Sequence, residues 1–178
     1  MVHPTSAETV TPVEDHPSSP RRWRPTRRHL AVGGTALLVL LLLIQLIPYG
    51  RDHTNPTPTK QVALPTAPQR ALFKSACQDC HSYKTDWLWY TNIAPISWLV
   101  QSDVNGGREH LNLSAWNRPQ AELGDVIEAI DGGDMPPLKY WISPYHWNAR
   151  LSSSEKQQLI AGFRALHAKD PPPIGGGG

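Results

Sequence analysis

Eighteen consecutive residues, Leu30 to Ile47, carry no charge and a single amide, Gln45. At ~1.5 Å per residue a helix over this run spans roughly 27 Å, close to the ~30 Å hydrocarbon core of a bilayer. Core helices of soluble proteins keep a polar face, whereas this run is apolar all round. The run therefore predicts one membrane-spanning helix, assigned with its flanks to residues 30–49. Arg21, Arg22, Arg24, Arg27 and Arg28 precede it and only Arg51 stands close behind. That asymmetry places the amino terminus inside, with the rest of the chain beyond the cytoplasmic membrane, facing the periplasm or cell exterior. Trp23 and Tyr49 fall where interfacial aromatics sit. A cleaved signal would have an apolar stretch of about 7–15 residues and then a small-residue cleavage site. Here the stretch is longer, and Pro48-Tyr49-Gly50-Arg51 offers no such site.

The rest of the chain divides around this run. Residues 1–29, rich in Pro, Ser and Thr before the arginines, have no apolar period and are expected to be a disordered basic cytoplasmic tail. Residues 50–68 carry Pro56, Pro58, Pro65 and Pro68 and read as a semi-extended tether. In polyproline form, at ~3.1 Å per residue, this tether could reach roughly 55 Å. A folded domain is expected over residues 69–169, and residues 170–178, with Pro171 to Pro173 and Gly175 to Gly178, have no means of packing. From Arg51 onward twelve basic residues balance twelve acidic ones, so the net charge of +2 lies on the cytoplasmic side. Such a balance excludes nucleic-acid binding through phosphate neutralisation. With 2 Cys, the chain holds neither a disulfide-dense scaffold nor a four-thiolate zinc site.

Inside the domain the apolar period is helical. Leu72, Phe73 and Ala76 share a stripe in Gln69 to Cys80; Ile96, Leu99 and Val100 do so in Ala94 to Val104. Leu123, Val126, Ile127 and Ile130 follow the i, i+3, i+4, i+7 spacing within Gln120 to Ile130, and Gly132-Gly133 stops that helix. Ser152 with Glu155 is a capping box ahead of Leu159, Ile160, Phe163 and Leu166. No run sustains strand alternation. The expected fold class is all-α.

Chemistry concentrates in Cys77-Gln78-Asp79-Cys80-His81. C-x-x-C-H is the signature of covalent c-type haem attachment. Two thiols three residues apart on a helix meet the two vinyl groups along one edge of the macrocycle, and the adjacent imidazole supplies an axial nitrogen. Three other readings compete. A Cys77–Cys80 disulfide suits an oxidising compartment but needs no His81. A thioredoxin-like redox pair expects a βαβ context. A zinc site needs two further ligands, from His81, His110 or His146, in no recognised spacing.

A sixth iron ligand is expected from Met135, which besides Met1 is the only methionine. It sits in Asp131-Gly132-Gly133-Asp134-Met135-Pro136-Pro137, where glycines allow close backbone approach and prolines stiffen the adjoining segment. The plain alternative is a gap-filling core methionine. His110 and His146 are reserve ligands. Tyr83, Trp87, Trp89, Tyr90 and Trp98 come soon after the haem motif. They read either as a wall over the haem or as an ordinary aromatic core. Lys139, Tyr140 and Trp141 could close the distal side; Asp79 and Asp134 read as solvated.

On Ala76 to Ser82, Trp87-Leu88-Trp89-Tyr90, Asn92 to Trp98 and the Met135-Pro136-Pro137 turn, the chain resembles the bacterial haem-binding domain family over about residues 47–165. These are small membrane-anchored or exported mono-haem c-type cytochromes. The resemblance implies a cytochrome c-like helical fold, one covalent haem c on Cys77 and Cys80, and His81 and Met135 as proximal and distal ligands. The expected function is non-enzymatic one-electron transfer to unidentified redox proteins from a single-pass anchor. A haem peroxidase, a redox or gas sensor, and a haem-free CxxC thiol-disulfide protein are the alternatives.

Overall fold

The computed structural model describes residues 26–141, 146 and 149–173. Trp23, most of the expected cytoplasmic tail and the glycine tail Gly175 to Gly178 lie outside the described residues, as does the Trp141 side chain. The chain divides into two units, Met1–Val39 and Leu40–Gly178. The described residues are all-α, as expected: seven helices, a 3-10 turn and no strand.

α1, Arg27–Ile44, is the apolar helix, with a mean hydropathy of 1.6 and no buried residue. By length and composition it could cross a membrane. It stops short of Pro48, since the residue before proline disfavours helical backbone.

α2, Ala67–Ala76, begins earlier than the apolar stripe suggests. Thr66 and Gln69 form a reciprocal capping box, and Pro68 sits in the first turn, where a missing N–H costs nothing. The helix breaks at Cys77 (φ −129°, ψ −30°), so the expected run from Gln69 to Cys80 is two helices; α3, Gln78–His81, is a single turn. α4, Ile96–His110, comes after the 3-10 turn Trp89–Asn92 and runs two turns past its expected end. α5, Leu123–Gly132, starts three residues late because the Gln120 side chain is spent elsewhere. Its Oε1 accepts from Asn112 N–H (2.7 Å) and its Nε2 donates to Ala115 and Arg118 carbonyls. Gly133, at φ +91°, ends α5 in the left-handed conformation that glycine tolerates. α6 is Leu138–Trp141, and α7, Ser153–Lys169, carries the expected Ser152–Glu155 capping box.

α5 and α2 both pack on α7, and α3 packs on α2 and α4. Phe73, Val126, Ile130, Leu159, Phe163 and the fully buried Trp116 meet in one core, Phe73 edge-on to Phe163 at 6.3 Å. The segment read as a tether contributes to it. Leu64 is buried in this core, Val62 N–H donates to the Leu113 carbonyl (2.9 Å), and Lys60 forms a parallel bridge with Ala115. Proline there shapes an extended strip laid along the domain, its apolar Val62 and Leu64 turned inward.

Candidate functional site

Cys77, Cys80, His81 and Met135 line one cavity of about 480 Å³. That falls within the ~300–1,000 Å³ of ligand pockets generally. Its walls come from the α2–α3 junction, α4, α5, the Met135-Pro136-Pro137 turn, α6 and Phe163 of α7.

One carbonyl organises the Cys77 to His81 turn. Cys77 O accepts from both Cys80 N–H (3.2 Å) and His81 N–H (2.9 Å), which coils the pentapeptide into a single turn. His81 Nδ1 then lies 3.1 Å from the Gly107 carbonyl and 2.9 Å from that of Leu111. Both partners are acceptors, so Nδ1 carries the proton and Nε2 keeps its lone pair. Burial lowers the His81 pKa, against the raising effect of these two carbonyls, so the imidazole stays neutral as a metal ligand requires. The carbonyls come within reach because α4 carries glycine at 107. A Cβ there would lie 2.5 Å from Cys80 O and 2.9 Å from Cys80 Cβ.

Cys77 and Cys80 are free thiols. Burial pushes both up to about 12, helped at Cys77 by Cys80 and at Cys80 by Asp103 and Asp79. Disulfide exchangers depend on lowered thiol pKa values. These thiols are perturbed in the opposite direction. Zinc fares no better: among the described residues no group of three or more His, Cys, Asp or Glu side chains could hold a metal ion.

Met135, 38% exposed, reaches the cavity from the turn after α5, and its N–H donates to the Ala129 carbonyl (2.9 Å). The reserve residues His110 and His146 line the cavity too. His146 Nε2 lies 2.6 Å from the Tyr90 hydroxyl, a contact that engages that nitrogen. Tyr140 also lines the cavity; its hydroxyl donates to Asp103 (2.6 Å), to which Lys139 is paired at 2.7 Å. Burial first, and then the hydrogen bond to Asp103, raises the Tyr140 pKa, so the phenol remains a donor.

One of the two open readings of the aromatic block falls, and the expectation for Asp79 needs correction. None of Tyr83, Trp87, Trp89, Tyr90 or Trp98 lines the cavity, so the aromatic block is no haem wall. Trp87 stacks on His53 (4.4 Å, 9°), and Trp89 is 64% exposed. Asp79 is half-buried rather than solvated. Its carboxylate accepts from Asp86 N–H (3.0 Å), and desolvation raises its pKa. Sequence reasoning misses Gly107 and Asp103. A glycine pair inside a helical run, Gly106-Gly107, is the signal for close backbone approach that points to the first.

The donor set suits a haem: a neutral imidazole with a free Nε2, two protonated thiols, a thioether and an apolar enclosure. Fold and site together define a small all-α haem-binding protein. The sequence model of the family described as haem-binding domain matches residues 39–165, and the chain belongs to that family. No curated protein and no solved structure matches it.

Proposed function

We propose that this protein is a membrane-anchored mono-haem c-type cytochrome that carries single electrons on the outer face of the cytoplasmic membrane. The observation that supports it most is the convergence of Cys77, Cys80, His81 and Met135 on one cavity, with His81 Nδ1 committed to two backbone carbonyls. Bound haem supplies an iron that cycles between ferric and ferrous states. Cys77 and Cys80 would hold the macrocycle through their sulfurs as thioethers. His81 would offer Nε2 and Met135 its sulfur to the iron. α5 and α7 would give the cofactor apolar walls through Val126, Ile130 and Phe163, and Tyr140 donates its hydroxyl proton to Asp103. With His81 and Met135 both engaged by the iron, the protein would serve as an electron carrier. α1 anchors it in one pass, with the arginine-rich end inside.

The test is to express the full chain in a host that matures c-type cytochromes. A c-type pyridine haemochrome, a denatured mass one haem above the polypeptide, and a six-coordinate low-spin spectrum with a reversible one-electron wave are expected. A colourless product of unmodified mass would overturn the covalent reading. Peroxide turnover far above that of free haem would overturn the carrier reading.

A further inference from the structure

Two side-chain amides grip the domain at either end of residues 45–55. Gln45, the one amide side chain of the apolar run, donates through Nε2 to the Ala94 carbonyl (2.9 Å) and accepts from Ala94 N–H (3.0 Å). Asn55 repeats the pattern on Thr85, donating to its carbonyl (2.9 Å) and accepting from its N–H (3.2 Å). Between them, Gly50 at φ +82° lies so close to Ser97 that a Cβ would come within 2.5 Å of the Ser97 carbonyl carbon and oxygen. His53 is stacked on Trp87 and donates to the Thr91 carbonyl (3.1 Å). Arg108 donates to the Thr54 carbonyl (3.1 Å) and to Asn55 Oδ1 (2.8 Å). Residues 45–55 are therefore a collar bound at both ends and in the middle. A swinging tether would need these contacts broken together.

The collar is surrounded by apolar side chains open to solvent. Leu46, Ile47 and Tyr49 are exposed on the collar itself. Ile93, Ile96 and Leu99, which flank the gripped Ala94 and the approached Ser97, are 44%, 45% and 48% exposed. Scattered exposed hydrophobics are ordinary, but a patch around one feature marks a surface that another apolar phase covers. Leu46 and Ile47 continue directly from Leu40 to Ile44 of α1. The phase meeting this patch is thus the one the apolar run enters, and a tyrosine at its edge fits the bilayer interface.

We propose that the patch formed by Leu46, Ile47, Tyr49, Ile93, Ile96 and Leu99 rests in the lipid interface, so that the collar holds the haem domain in one fixed orientation on the membrane. The inference rests on the reading of α1 as a membrane span. Its test uses full-length holoprotein in phosphatidylethanolamine–phosphatidylglycerol vesicles, with Ile96→Cys, Leu99→Cys and, as reference, Glu128→Cys on the exposed face of α5. Modification by a charged, membrane-impermeant maleimide is followed by peptide mass mapping, which separates each new thiol from Cys77 and Cys80. The rates at positions 96 and 99 are expected to fall about tenfold below the reference, equivalent to ~1.4 kcal/mol of protection. If the protein floats with the vesicles but both positions react as fast as the reference, the docking is overturned and the anchor stands. If it does not float with vesicles at all, the anchor and the docking fall together.

Discussion

Gly107→Ala isolates the contact that aims His81. Alanine in place of glycine inside a helix gains ~0.8–1.0 kcal/mol of intrinsic propensity. At position 107 that gain meets a Cβ placed 2.5 Å from Cys80 O and 2.9 Å from Cys80 Cβ, on backbone that cannot swing aside as a flexible side chain would. Overpacking of this kind costs ~1–3 kcal/mol. Separating α3 from α4 also stretches the 3.1 Å bond from His81 Nδ1 to the Gly107 carbonyl, a further ~0.5–1.5 kcal/mol. The balance is a loss of about 2 kcal/mol. With a urea slope of ~2 kcal/mol/M, the unfolding midpoint falls by ~1 M. The assay is urea unfolding of the full-length holoprotein in micelles, followed by tryptophan fluorescence. Gly124→Ala, in α5, is the internal control, because a Cβ there meets nothing within 4 Å and the propensity gain stands alone. It should leave the midpoint unchanged or raise it. A Gly107→Ala protein that unfolds at the parent's urea concentration or above would refute the close approach and the orientation of His81 built on it.

Met135→Ala should raise carbon monoxide binding to the ferrous protein and lower its reduction potential; if neither moves, Met135 is not the distal ligand. Ser152→Ala removes the hydroxyl that caps α7 and should cost about 1 kcal/mol. In thermal melts that is a fall of ~4–8 °C for a domain of this size, and an unchanged melting point would remove the cap from the account. Burial lowers the pKa of His167, which stands edge-on to Trp116 at 5.2 Å with Nε2 buried and lacking a hydrogen-bond partner. The unfolded chain therefore takes up the proton first as pH falls below 6.5. Stability present above that pH is lost as it drops through the folded pKa. His167→Phe should flatten the dependence of the urea midpoint between pH 7.5 and 5.5, and a slope equal to the parent's would show that His167 does not contribute.

Features set by local chemistry were legible in the sequence. An apolar helix near the amino terminus, the Ser152 capping box and the Leu123 to Ile130 stripe each depend on a few neighbouring residues, and the structure has all three, with shifted helix ends. What escaped depends on distant partners. Pro56 to Pro68 have the composition of a linker, but Val62 and Leu64 lie on the core only because Leu113 to Ala115 offers them an edge. The aromatics after His81 are close to it in sequence, yet Trp87 stacks on His53 and none of the block lines the cavity. Gln120 has the period of a helix residue, and its amide is drawn instead into a loop built from Asn112, Ala115 and Arg118. Thr66 and Gln69 are a readable capping box hidden by the proline between them.

The two sides of the cavity are gauged by one helix. Gly107 of α4 receives the His81 imidazole, and Asp103, one turn earlier on the same face, receives Tyr140 and Lys139 from the segment just beyond Met135. Residues four apart on a helix keep their separation as long as the helix stays intact, whereas two loops facing each other would not. The residue types at these two positions match their tasks. Glycine lets backbone meet backbone on the side where a histidine must be aimed at fixed height. A carboxylate reaches across to hydroxyl and ammonium on the side where a turn must be held. α4 thereby fixes, by one helical turn, the spacing between the carbonyl that meets His81 and the carboxylate that holds Tyr140 and Lys139.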